Sequence, residues 1–244
     1  MNEQTLEKMS SMRLYGMHRS FRQVIDTSRL NELTADELIS QLVDSEWDDR
    51  HNRAVDRSLK NARFRYKSSI EMIDYSIDRN LDPNLINRLA ECTYLDNHQN
   101  LIITGSTGTG KSFVASALGN QACLRGYKVL YANTTRLLSQ LKLAKADGSC
   151  LQELAKIEKQ DLLILDDFGI QPFDAAARML LMDIIEDRHG KRSTIISGQI
   201  PASEWYDIIG EGTLADAILD RILHDAHTIE LKGESLRRKK KLDL

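Results

Sequence analysis

Two different spacings of apolar residues divide the chain. Up to about residue 65 they recur at helical intervals: Leu6, Met9, Met12, Tyr15, Phe21, Val24 and Ile25 trace one amphipathic segment. A second helix is predicted to open at Thr34-Ala-Asp-Glu37, an S/T-x-x-E capping box in which hydroxyl and carboxylate satisfy each other's orphan amides. Leu38, Leu42, Val43, Trp47, Val55 and Leu59 continue it without a breaker to about Phe64. From residue 95 onward the pattern changes. Short apolar runs at 100–104 (NLIIT), 128–132 (KVLYA), 162–166, 193–197 and 227–231 (HTIEL) predict strands, and 112–125, 134–147, 151–160 and 174–189 predict helices between them. Such alternation implies an α/β fold with a mainly parallel five-stranded sheet covered on both faces. The expected division is a small all-helical domain, residues 1–67, and an α/β domain, residues 68–244.

Composition narrows the class without naming a function. Hydrophobic residues make up 41% and charged residues 28% of 244, as in an ordinary globular protein. No apolar run has the length of a membrane span, and the N-terminus has no apolar signal-like stretch. The three cysteines, Cys92, Cys123 and Cys150, are far apart and form no CxxC pair, so neither a disulfide framework nor a zinc site is indicated. The net charge of −3 conceals an uneven layout. Residues 1–49 carry five Lys/Arg against ten Asp/Glu, whereas residues 50–67 carry seven Lys/Arg against Asp56 alone. A further basic run, 237–241, lies near the C-terminus.

The turn after the first predicted strand reads Gly105-Ser106-Thr107-Gly108-Thr109-Gly110-Lys111-Ser112, a complete G-x-x-x-x-G-K-S followed by Phe113. Its glycines let backbone N–H groups converge on phosphate oxygens at the positive end of the next helix. Lys111 is expected to reach the β- and γ-phosphates, and the Ser112 hydroxyl to ligate Mg²⁺. Downstream, LLILDDFG (162–169) is an apolar strand that ends in two carboxylates. Burying them requires a cation. In a parallel sheet the strand ends meet at one crevice. Asp166 is then the metal-holding acid, and Asp167 the group that orients or deprotonates the attacking water.

These motifs, with IEDRHGKRSTIISGQIP (185–201) and TLADAILDRILHDAHTIELKGESLR (213–237), resemble the AAA+ ATPases of the initiator and helicase-loader group, and most closely the IstB-type insertion-sequence helper ATPases. The resemblance covers nearly the whole chain. It implies that Gln199 is the polar sensor near the γ-phosphate, with Ser197 a second candidate. It implies that Arg221 is an arginine finger acting on the neighbouring subunit's ATP, and that Arg237 is the sensor-2 arginine. A guanidinium suits such roles through its planar, permanently charged fork of donors. Two departures stand out: Asp166-Asp167 where many AAA+ proteins have Asp-Glu, and Gln199 where Asn is usual. Either is a route to slow hydrolysis. With thirteen residues after the last strand, no substantial C-terminal lid is expected.

The resemblance also implies partners. They are double-stranded DNA, the transposase encoded by the same element, and further copies of the chain in an ATP-dependent ring or helical filament in the bacterial cytosol. Arg50, Arg53, Arg57 and Lys60, at spacings of three and four, share a helix face, and Arg63, Arg65 and Lys67 extend the positive patch. Such a stripe suits a phosphate backbone and carries no base-reading code. A solvated helix face paired with the acidic residues 44–49 of a neighbour would look the same. Lys142 and Lys145 are further candidates for DNA contact. The expected function is an ATP-hydrolysing transposition helper. A DnaC-like helicase loader and a nucleotide-gated scaffold without hydrolysis are the alternatives.

Overall fold

The computed structural model describes residues 2–28 and 32–236, so Arg237 and the basic run that follows it lie outside the described residues. The chain forms two compact units, Met1–Arg57 and Ser58–Leu244.

In the first unit, α1 (Asn2–Ser11) and α2 (Tyr15–Asp26) are separate helices, not the single segment the spacing suggests. Arg13 takes a left-handed φ of 60° and ends α1. The reason lies thirty residues away, on α3 (Ala35–Ala62). Gly16 lies so close to α3 that a Cβ there would stand 2.2 Å from the Ser45 carbonyl oxygen. Its amide donates to Glu46 Oε2 at 2.8 Å, and the Met17 amide does so at 3.3 Å. The buried Glu46 thus caps α2, whose own N-cap residue, Leu14, has no side chain to offer. At the start of α3 the capping box forms as predicted: Thr34 N–H donates to Glu37 Oε2 at 2.8 Å, and Glu37 N–H to Thr34 Oγ1 at 3.3 Å.

The second unit is built on five strands: β1 (Leu101–Gly105), β2 (Val129–Asn133), β3 (Leu162–Phe168), β4 (Ser193–Gly198) and β5 (His227–Leu231). Their order is β2-β3-β4-β1-β5, and every pairing is parallel. Successive residues point to opposite faces. Leu101, Ile103, Leu162 and Ile164 join one apolar cluster with α4 (Pro83–Ala90) and α6 (Lys111–Leu124), close to α5 (Thr93–Asp96). Ile102, Leu163 and Leu165 join the other, with α7 (Thr134–Asp147), α8 (Cys150–Glu158), α9 (Ala175–Arg188), α10 (Trp205–Ile209) and α11 (Gly212–Leu223). The predicted strands and intervening helices are all present, within one to two residues at most ends. Leu59, Ala62 and Phe64 contribute to the first of these clusters.

One irregularity bears on the site. Leu165 pairs with Ile196 and Phe168 with Gly198, so Asp166 and Asp167 of β3 together face the single residue Ser197 of β4. This is a β-bulge, and Asp167 occupies it with φ 59°. Among the described residues, no helix is long and apolar enough to cross a membrane.

Candidate nucleotide-binding site

The glycine-rich turn joins the carboxyl end of β1 to the start of α6. Gly105 has φ 143°, and a Cβ on it would lie 2.1 Å from the Leu231 carbonyl oxygen of β5. Gly108 has φ 86°, and its Cβ would meet Ser235 Oγ at 2.1 Å. Both positions therefore demand glycine on backbone and packing grounds. Lys111 is buried, and its Nζ donates to the Ser106 carbonyl at 2.8 Å, curling back over the loop. Arg79, also buried, braces the turn from outside by donating to the Thr109 carbonyl at 3.2 Å. Thr107 Oγ1 donates to Gln199 Oε1 at 2.7 Å, which brings the residue beyond β4 onto the loop. A cleft of about 300 Å³ opens beside it, lined in part by Thr104, Gly105, Gln199, Glu230 and Gly233.

The acidic pair meets this turn. Ser112 Oγ donates to Asp166 Oδ1 at 2.9 Å across a sequence separation of 54 residues. Asp166 is 1% exposed and accepts two more hydroxyl bonds, from Ser197 and from Tyr131. Burial, and then the bond to Asp166, pushes the Tyr131 hydroxyl well above the ordinary phenol range, so it remains a donor. Asp167 accepts from Asn133 Nδ2 at 2.9 Å. Arg65 Nη1 lies 3.2 Å from Asp167 Oδ2 and 3.7 Å from Asp166 Oδ2.

The donor set is one hydroxyl and two carboxylates, all hard oxygens, beside a loop shaped for phosphate. That fits Mg²⁺, which is ordinarily held by one or two protein carboxylates and completes its shell with phosphate and water. No group of three or more His, Cys, Asp or Glu suited to a metal occurs among the described residues, so a cage built from protein alone is not what the site offers.

Arg221 lies at the other end of the sheet. Asn100, just before β1, donates through Nδ2 to the carbonyls of Arg221 and Ile222 at 3.2 and 3.1 Å. The length of β1, about 15 Å, separates that point from Gly105. The Arg221 side chain pairs with Glu186 of α9 at 2.5 Å. It is not brought to the chain's own loop.

The basic residues have mixed surroundings. Arg50 pairs with Glu46 at 2.7 Å and Arg53 with Asp49 at 2.6 Å, each one turn back on α3. Arg57, Lys60, Arg63 and Lys145 are exposed. Lys142 pairs with Asp174 at 2.6 Å. Arg65, read from the sequence as part of this patch, instead faces the carboxylates.

Sequence reasoning missed Tyr131, Asn133 and Arg79, and took Arg65 for a surface charge. A signal existed for Asn133: it ends β2 and pairs in register with Asp166, so knowing the neighbour of β3 would have placed it. Ser197, the second sensor candidate, donates its hydroxyl hydrogen bond to Asp166.

Comparison with known proteins agrees with this geometry. Residues 7–243 match the family model described as "IstB-like ATP binding protein". The "Putative insertion sequence ATP-binding protein y4pL" of Sinorhizobium fredii (strain NBRC 101917 / NGR234) is 43% identical over 234 residues, 96% of each chain. The "Insertion sequence IS21 putative ATP-binding protein" of Pseudomonas aeruginosa is 29% identical over 233 residues, 96% of this chain and 88% of that one. Among solved structures, the DnaC helicase loader superposes with a TM-score of 0.59 at 20% identity, covering 68% of this chain and 98% of that one. DnaI gives 0.58 at 22% identity, covering 72% and 94%. At such identities the two structures speak for the fold alone, a P-loop core of the AAA+ kind. With a family match that runs almost end to end and a phosphate loop whose serine touches the strand-end aspartate, the chain belongs to the IstB-like ATP binding proteins of insertion sequences.

Proposed function

We propose that the chain binds and hydrolyses Mg·ATP, and that in doing so it assembles on target DNA and recruits or stimulates the transposase of its own element. The observation that carries the first half is the Ser112–Asp166 contact, which closes the glycine-rich turn onto the acidic strand end. Backbone amides of Gly108–Lys111 bind the phosphates, and Lys111 leaves the Ser106 carbonyl to meet them. Ser112 and Asp166 hold the metal, which when bound neutralises charge on the phosphate oxygens. Asp167, aimed by its bulge and by Asn133, orients the attacking water. Gln199, held on the loop by Thr107, reports on the terminal phosphate.

Arg221, a strand's length from its own loop, serves the nucleotide of an adjacent copy, so hydrolysis requires assembly. The DNA and transposase half rests on the insertion-sequence names of the relatives and on the exposed Arg57, Lys60, Arg63 and Lys145. Arg50 and Arg53 are partly neutralised by Glu46 and Asp49, so they contribute less to a phosphate backbone than their spacing implies.

The test is phosphate release by the purified chain with and without duplex DNA, beside Lys111→Ala, together with retention of the element's transposase on DNA-bearing beads. Turnover absent from Lys111→Ala and ATP-dependent retention are expected. Turnover no higher than that of the variant removes the ATPase, and retention indifferent to the chain removes the recruiting role.

A further inference from the structure

The contact between Arg65 and the acidic pair has no part in the mechanism above. Asp166 is almost fully buried and Asp167 adjoins it in sequence, so the pair needs positive charge nearby. Ser112, Ser197, Tyr131 and Asn133 donate hydrogen bonds but carry none. Arg65 brings a full charge to within 3.2 Å of Asp167 and 3.7 Å of Asp166.

Its neighbours in sequence are anchored. Phe64 packs edge-on against the Tyr131 ring at 6.3 Å, and the Tyr66 ring lies 6.4 Å from that of Phe113, the residue after Ser112. The Arg65 side chain is 44% exposed, and its guanidinium lies 5.5 Å from the centre of the Tyr66 ring. The backbone is therefore fixed on both sides of a side chain able to swing into water, with an aromatic face on which to rest.

We propose that Arg65 and a divalent metal compete for the acidic pair: the guanidinium neutralises Asp166 and Asp167 when no metal is bound there, and metal binding displaces it. This rests on the reading of Ser112 and Asp166 as metal-holding residues. A divalent ion and a guanidinium repel each other when both crowd the same carboxylates, and the divalent ion carries twice the charge. The metal must therefore compete with Arg65. Phosphate oxygens tip that competition by adding ligands for the metal. Metal without nucleotide is held poorly, and the two load together.

The decisive measurement uses Mn²⁺ in place of Mg²⁺, with free Mn²⁺ followed by electron paramagnetic resonance in the absence of nucleotide. Arg65→Ala is expected to bind Mn²⁺ about two- to fivefold more tightly than the unmodified chain. Arg65→Gln, which keeps length and hydrogen bonding without charge, has to behave the same way. Arg65→Ala should also melt at a lower temperature when metal-free, and the deficit should close in Mg²⁺ plus AMPPCP. Equal Mn²⁺ affinities, or a melting deficit that persists unchanged with Mg²⁺ and AMPPCP, overturn the displacement; the latter would mean that Arg65 stays in the loaded site. Asp166→Asn separates this from the underlying reading. If it abolishes Mn²⁺ binding while Arg65→Ala changes nothing, only the displacement fails. If Mn²⁺ binding survives Asp166→Asn, the metal site itself has been misplaced.

Discussion

Asp167 shows how backbone conformation selects a side chain. The sequence raised the question of why this position carries an acid one methylene shorter than the glutamate many AAA+ proteins use. At φ 59° the residue sits in the left-handed region, where Asp and Asn are tolerated because their short polar side chains bond locally. The Asp167 carboxylate itself bonds across the sheet, accepting from Asn133 Nδ2 at 2.9 Å. If Asp167 handles the attacking water's proton as proposed, Asp167→Asn should keep the fold and nucleotide binding while reducing phosphate release by about a hundredfold or more. Asp167→Glu should instead lose about 1 kcal/mol of stability, visible as a lower melting temperature, and should not turn over faster. A Glu variant as stable as the original, with quicker phosphate release, would show that the bulge does not dictate the residue.

Among the helices, α2 starts on a side chain remote in sequence. Glu46 is buried, and burial alone would raise its pKa. Arg50 and the amides of Met17 and Gly16 outweigh that and hold it below its ordinary value of 4.5. A carboxylate whose pKa falls on folding adds stability above its unfolded value and loses it as the pH drops through the folded one. The first unit should accordingly loosen below about pH 4.5. Glu46→Gln should cost about 1–3 kcal/mol at neutral pH and flatten that acid dependence, as measured by helical circular dichroism from neutral pH to about pH 3. A pH profile identical in both proteins would mean that Glu46 is not the titrating cap.

The same helix shows where sequence reading stops. Consecutive signals were legible: the Thr34/Glu37 box, the glycine-rich turn, the apolar runs that became strands, and the acidic pair ending one of them. Each lies within a window of about ten residues, where local chemistry dictates local structure. The break before α2, the Tyr131 and Ser197 hydroxyls on Asp166, and the recruitment of Arg65 all depend on residues 30 to about 100 positions apart. Helical spacing assigned Arg65 to a surface stripe because spacing ends with the helix at Ala62 and cannot follow the chain afterwards.

For the whole chain, the decisive fact is that its loop and Arg221 lie at opposite ends of β1. If a complete site needs the loop of one copy and the arginine of the next, Lys111→Ala and Arg221→Ala chains are each inactive for different reasons. Mixed in equal amounts they should regain activity, to about a quarter of the unmodified rate, because one junction in four then joins an intact loop to an intact arginine. Each variant assayed alone provides the baseline, and a mixture no better than either would place the Arg221 role elsewhere. Under that proposal every copy has a front and a back. Stacked end to end, such copies can only point one way, like tiles with a tab and a slot. An open row then has one terminal copy whose nucleotide is never finished by a neighbour, whereas a closed row has none. The two ends of an open row would age differently, and a clock built into its length would run from one side.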